Sequence, residues 1–200
     1  ADWHAGQRVD VRGQVVAPGF IDVHTHDDYA LLAKPDMDMK VSQGVTSVVV
    51  GNCGFSLAPL TFTKMHPGLD LLGDEQAFRF TTFGDFADAV DAAPPAVNAA
   101  FLVGHATLRF GALDRTDRAA TGAEIKIMRD RLEDSLKAGA TGLSTGLFYA
   151  PARKAPTAEV IAIGEVLKAY GARYVTHMRD ETEGVIDSLE ETFTIGRECQ

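Results

Sequence analysis

Ala17-Pro18-Gly19-Phe20-Ile21-Asp22-Val23-His24-Thr25-His26 reads as an apolar strand that ends in two histidines. Residues i and i+2 of a strand point to the same side, so His24 and His26 converge while Thr25 faces away. The pair can hold a metal ion, or it can be two half-exposed histidines at a strand end. The spacing alone fits both, and residues farther along have to separate them.

Gly44–Val50 reads as a second, buried strand, and Gly51-Asn52-Cys53 places a thiol just past its end. Tyr174–Met178 is another short apolar run, with His177 at its C-terminal end. Imidazole with thiolate is the donor set that zinc prefers. If these strands are parallel neighbours, their C-terminal ends share one rim, and that rim is where both closed barrels and open doubly wound sheets place functional residues.

Four runs carry a family resemblance: APGFIDVHTHDDYALL (17–32), VSQGVTSVVVGNCGFSLAPL (41–60), GLSTGLFYAPA (142–152) and YVTHMRDE (174–181). They closely resemble the D-aminoacylases, or N-acyl-D-amino-acid deacylases, of the amidohydrolase superfamily, over about Gly13 to about Thr194. The His-x-His after Pro-Gly-Phe-Ile-Asp is common to the superfamily. Cys53, 29 residues after His24, points to the D-aminoacylase branch, because in dihydroorotases and hydantoinases a carboxylated lysine on another strand bridges the metals.

The resemblance implies a zinc-dependent hydrolase that cleaves an N-acyl-D-amino acid to a carboxylate and a free D-amino acid. Zinc would bring the pKa of the attacking water to about 7 and polarise the acyl carbonyl. Cys53 and His177 would hold the tighter metal, and His24 and His26 would join Cys53 around a second, weaker position. Whether that second position inhibits or stays idle is left open. Tyr149 would line the substrate site near the metal; its other reading is a loop aromatic packed on Pro151. A further histidine ligand and the aspartate acting as general acid/base would lie beyond residue 200, so no catalytic residue is assigned within the chain. Residues 1–16 would be the remnant of a small N-terminal β-sandwich domain, and residues 17–200 a partial amidohydrolase barrel.

The alternation of apolar runs supports that architecture. Strands are expected near 18–24, 45–50, 98–103, 140–144 and 173–177, separated by helical patterns, which calls for a parallel sheet. A complete (β/α)8 TIM-like barrel needs about 250 residues, so about five βα units form an incomplete one. Between the strands, Asp36 is a candidate cap for a short helix to Gln43 that Gly44 ends. Phe55–Phe80 is too long for an ordinary connection and reads as an excursion over the site, with His66 a solvated loop histidine. Helices are expected over 82–91, 122–138, 157–170 and 182–197, the second with Ile125, Met128, Leu132 and Leu136 on its apolar face. His105, at the end of the third strand, reads as a hydrogen-bonding histidine or one that supports a metal ligand without touching the metal. Arg179-Asp180-Glu181 either orients ligands or caps the last helix. Gly139–Gly146 is no phosphate loop, since it lacks the Gly-Lys-Ser/Thr ending.

The sequence of 200 residues is 46% apolar with a formal charge of −9. That charge argues against nucleic acid or an anionic membrane surface as partner; a small-molecule substrate is what the resemblance implies. Residues 1–20 lack a signal-peptide pattern and no run approaches a membrane span, so a cytoplasmic enzyme is the expectation. Two cysteines make no disulfide framework; Cys199 reads as structural. Other readings are a cyclic-amide hydrolase of the dihydroorotase or hydantoinase kind, a non-catalytic zinc-binding domain built on His24, His26, Cys53 and His177, and a flavodoxin-like binding domain.

Overall fold

The computed structural model describes residues 4, 6–61 and 68–200. Five strands form one sheet: β1 (Phe20–Asp22), β2 (Val45–Val50), β5 (Asn98–Gly104), β6 (Gly142–Gly146) and β7 (Arg173–His177). They lie side by side in sequence order, and every neighbouring pair is parallel. Parallel neighbours need long crossovers, which the helices supply. This is the expected partial barrel wall, with strand positions within about two residues of those read from the apolar runs.

β2 is Val45-Thr46-Ser47-Val48-Val49-Val50, β-branched at five of its six positions, a composition that packs well on a pleated surface. β6 is buried at every residue, as an interior strand of a wall covered on both faces should be. A short antiparallel hairpin, β3 (Leu60–Thr61) with β4 (Arg79–Phe80), sits inside the 55–80 excursion. Phe55, Leu57, Leu69, Leu72 and Phe78 of that excursion join the main core. His4 is exposed, while Trp3 and His66 lie outside the described residues.

Two helices open with reciprocal caps. Thr82 accepts from Asp85 N and Asp85 accepts from Thr82 N ahead of α3 (Phe83–Ala92); Thr121 and Glu124 do the same for α5 (Gly122–Lys137). In α5, Met128, Leu132 and Leu136 are buried while Lys126 and Asp130 pair in solvent, the amphipathic division read from the sequence. β5 runs directly into α4 (His105–Ala112), and α6 (Ala150–Arg153) follows β6 after a short turn. Neither helix was expected, because each is too short for its periodicity to register.

Elsewhere the sequence expectation is corrected. Asp36 caps nothing: after α1 (Ala30–Ala33), Met37 takes a left-handed conformation at φ 47° and precedes α2 (Asp38–Val41) with no side-chain cap. That turn drives the Met37 side chain into a small cluster with Leu31, Val48, Val50 and Val97. The 157–170 helix is two pieces, α7 (Thr157–Gly164) and α8 (Leu167–Tyr170), with Gly171 closing the second at φ 59°. α9 spans Val185–Cys199, starting late because Asp180 Oδ1 accepts from both Thr182 N and Thr182 Oγ1 and folds the preceding residues into a turn. Gln7–Val16 forms no strand; it is exposed and holds one tight turn, Gln14 N to Val11 O. Among the described residues no helix is long and apolar enough to cross a membrane.

Leu143, the second residue of β6, has no exposed surface and packs against α7. Leu143→Ala should cost about 2–5 kcal/mol and lower the melting temperature by roughly 5–15 °C for a chain of this size. A calorimetric loss below about 1 kcal/mol would mean that β6 is not the centre of the core.

Candidate metal centre

Beyond β1 the chain bends at His24 and runs on through Thr25 and His26, held by the Thr25 N–H to Val49 O bond at 3.3 Å. Beneath it, Lys40 Nζ lies 2.7 Å from Asp22 Oδ2 and 2.9 Å from Asp27 Oδ2, so one ammonium braces the residues on either side of the histidines. The two imidazoles meet edge to face with centroids 5.7 Å apart. His24 Nε2 lies 3.1 Å from Cys53 Sγ, and donor atoms of His24, His26 and Cys53 all fall within 4.8 Å of one another. Since Zn–N and Zn–S bonds are about 2.0–2.3 Å, that spread is close to what donors around one ion require.

Cys53 reaches this position through a strained turn. Gly51, Cys53 and Gly54 have φ of 78°, 55° and 81°, and a left-handed residue with a side chain costs roughly 1–2 kcal/mol. The turn is tied down at several points. Ser144 Oγ donates to Gly51 O at 2.5 Å and accepts from Gly54 N at 3.0 Å, and Thr107 N donates to Gly54 O at 3.2 Å. Asp28 Oδ2 accepts from Gly51 N at 3.2 Å; full burial raises that carboxyl to about 7 against the pull of its backbone hydrogen bonds. Gly146 is required because a Cβ there would stand 2.1 Å from Cys53 O.

The residues present fit a zinc ion. Thiolate with two imidazoles is a zinc-type set, and His26 Nδ1 is buried with no hydrogen-bond partner. Burial, with the neighbouring His24, holds the His26 imidazole below its ordinary pKa and therefore neutral, with a lone pair to give. Burial raises the Cys53 thiol, offset by a hydrogen bond with Tyr149.

His177, the last residue of β7, is not among the three gathered donors. Its Nδ1 lies 3.3 Å from Tyr149 Oη, its Nε2 lies 3.6 Å from Glu181 Oε1, and it shares a depression with His24. Tyr149 therefore stands between Cys53 and His177, its ring 4.8 Å from the imidazole. Tyr149 and Pro151 also line an open cavity of about 460 Å³ with His26, Cys53, Phe55 and Leu71. The 55–80 excursion supplies part of that wall, as its length suggested.

His105 is buried, with Nε2 3.1 Å from Glu159 Oε1, which bears out a hydrogen-bonding histidine. The sequence reading missed its partners. Arg109, one turn along α4, is fully buried and pairs with Glu159 Oε1; it also donates to Pro151 O at 2.7 Å and Thr116 O at 2.9 Å. The available signal was Glu159 itself, a lone carboxylate beside the apolar run Val160–Ile163. Cys199 is buried and its thiol is pushed up by burial to about 11, as a structural cysteine should be.

This parallel half-barrel carries imidazole and thiolate side chains past the C-terminal ends of its strands, and residues 7–198 match the amidohydrolase family, to which the chain belongs. It is 54% identical over 198 residues to D-aminoacylase of Alcaligenes xylosoxydans xylosoxydans, covering 99% of this chain and 41% of that protein. The chain thus spans less than half the length of this relative. A crystal structure of D-aminoacylase superposes with a TM-score of 0.96 at 53% identity, over 98% of this chain and 41% of the other. N-acyl-D-glutamate deacylase from Bordetella bronchiseptica, complexed with zinc and a phosphonate mimic of the reaction tetrahedral intermediate, superposes at 0.86 with 43% identity, over 91% and 38%.

Burial works to raise Glu159, but its bonds to His105, Ala120 N and Arg109 win and hold it at about 2, below its ordinary 4.5. A carboxyl depressed on folding contributes stability that is complete above about pH 4.5 and is lost as pH falls toward 2. Glu159→Gln leaves Arg109 buried without its counter-charge and should cost about 3–5 kcal/mol near neutrality. Denaturant titrations from pH 7 to pH 2 should also show a shallower acid loss than in the wild type; parallel curves would remove Glu159 from the pH response.

Proposed function

We propose that the protein is a zinc-dependent N-acyl-D-amino-acid deacylase. The observation that carries this reading is the convergence of His24, His26 and Cys53 within 4.8 Å beside an open cavity. The similarity to D-aminoacylase and to a zinc-bound D-glutamate deacylase supports it. In the reaction, water adds to the acyl carbonyl carbon, the C–N bond breaks, and the nitrogen takes a proton. The products are a carboxylate and a free D-amino acid.

Bound zinc supplies Lewis acidity, which polarises the carbonyl and makes hydroxide accessible near neutral pH. His24, His26 and Cys53 would hold it, with His177 serving a tighter position in company with Cys53. Tyr149 Oη, already within reach of Cys53 and His177, directs its O–H toward the reacting group. Phe55, Leu71 and Pro151 give the cavity apolar walls that accept an acyl or side-chain substituent and exclude water. A cytoplasmic location is in keeping with Cys53 and Cys199 as free thiols.

Elemental analysis of the intact protein purified without chelator should find close to one zinc equivalent, and Cys53→Ala should lose most of it. Hydrolysis of N-acetyl-D-methionine, with the L-enantiomer as control, should fall together with the metal. Less than a tenth of an equivalent in the wild type refutes the metal site. Zinc uptake with opening of dihydroorotate or hydantoin, and no action on the acyl-D-amino acid, refutes the substrate assignment.

A further inference from the structure

Asn52, the residue before Cys53, has no exposed surface, and no step described above uses its side chain. Its amide nitrogen donates to two carbonyls, Val49 O at 2.8 Å and Thr25 O at 3.3 Å. Thr25 is the residue between His24 and His26, and its own N–H donates to Val49 O. β1 ends at Asp22, so no strand partner remains for the Thr25 carbonyl. The Asn52 amide takes that partner's place, and both backbone polar groups of Thr25 are thereby tied to the segment that leads into Cys53.

Resting on the reading of the histidines and Cys53 as a zinc site, we infer that Asn52 is a positioning residue whose amide sets the separation between the His24/His26 pair and the Cys53 thiolate. The geometry needs a donor as well as the right size. Both partners are carbonyl oxygens, which only accept, so a carboxylate of the same shape would set an acceptor against two acceptors at a fully buried position. Hydrogen-bond partners just outside a metal's ligands commonly govern affinity by 10–100-fold. Here the partner is a backbone carbonyl lying between two ligands, so one amide bears on the placement of both imidazoles.

A residue that only stabilised the turn would lower the melting temperature of zinc-free and zinc-loaded protein equally. A positioning residue narrows the gap between them, because that gap reports zinc affinity for the folded state. The test compares the intact wild-type protein with Asn52→Asp and, as a control for lost stability, Leu132→Ala in the buried face of α5. Zinc affinity is read by competition with a chromophoric chelator, and melting temperatures with and without zinc. Expected for Asn52→Asp is an affinity about 10–100-fold weaker and a smaller zinc-dependent gap, with Leu132→Ala lowering both melting points but keeping wild-type affinity and gap. If Asn52→Asp does not fold, Asn52→Ser, which can serve at most one carbonyl, is read the same way. An affinity within twofold of wild type in the folded variant overturns the inference while leaving the zinc reading intact. A wild-type protein that takes up no zinc overturns both.

Discussion

The arrangement of the site depends on how closely one backbone turn can lie against the ends of two strands. Cys53 O sits where a Cβ of residue 146 would be, and Gly54 O sits 2.4 Å from where a Cβ of residue 104 would be. Glycines at the last positions of β5 and β6 therefore let the turn after β2 fold inward over its neighbours. With any side chain there, the turn lifts, the thiol moves away from His24, and the Ser144 hydroxyl loses its two contacts. The strained left-handed conformation of Cys53 is maintained by this surrounding set of bonds, in the way that local strain persists where neighbours over-determine it.

A second constraint acts from outside the sheet. Arg109 and Glu159 are both buried and join α4 to α7, and the guanidinium also holds the Pro151 carbonyl at the start of α6. Tyr149 lies two residues before that carbonyl, so the charged pair reaches the site through the backbone of α6. A buried ion pair is weak evidence of net stability, since apolar replacements often serve as well. Its value here is geometric: it fixes where the short helix α6 begins.

The parallel sheet was readable because each strand is a short apolar run and the runs recur between helical patterns; their order and direction follow from that alternation. The convergence of the histidine pair was readable from its two-residue spacing, but that spacing alone fitted a metal pair and two half-exposed histidines equally. What escaped was local. Met37 turns left-handed where an aspartate promised a cap, because the cluster around Leu31 and Val97 draws in its side chain. The Thr82 and Thr121 caps carry the Thr-x-x-Asp and Thr-x-x-Glu pattern that marks helix starts and could have been read directly. The Arg109–Glu159 pair joins residues 50 apart in sequence, a relation that no periodicity encodes. His177 bears the right chemistry for a ligand, yet its position against Tyr149 depends on the approach of β6 to β7 and on the turn after Gly146.

The cavity beside Cys53 has two walls of different origin. Tyr149 and Pro151 descend from the sheet, whereas Gly68, Asp70 and Leu71 come from the long excursion between β2 and α3. Long surface insertions change chain entropy only slowly with length and vary more freely than the elements they connect. Evolution can therefore redraw the excursion wall residue by residue while the glycines, the turn and the donors beneath stay as they are. Donor geometry and cavity shape are separable traits in such a design, since drift in a single loop recuts one without disturbing the other.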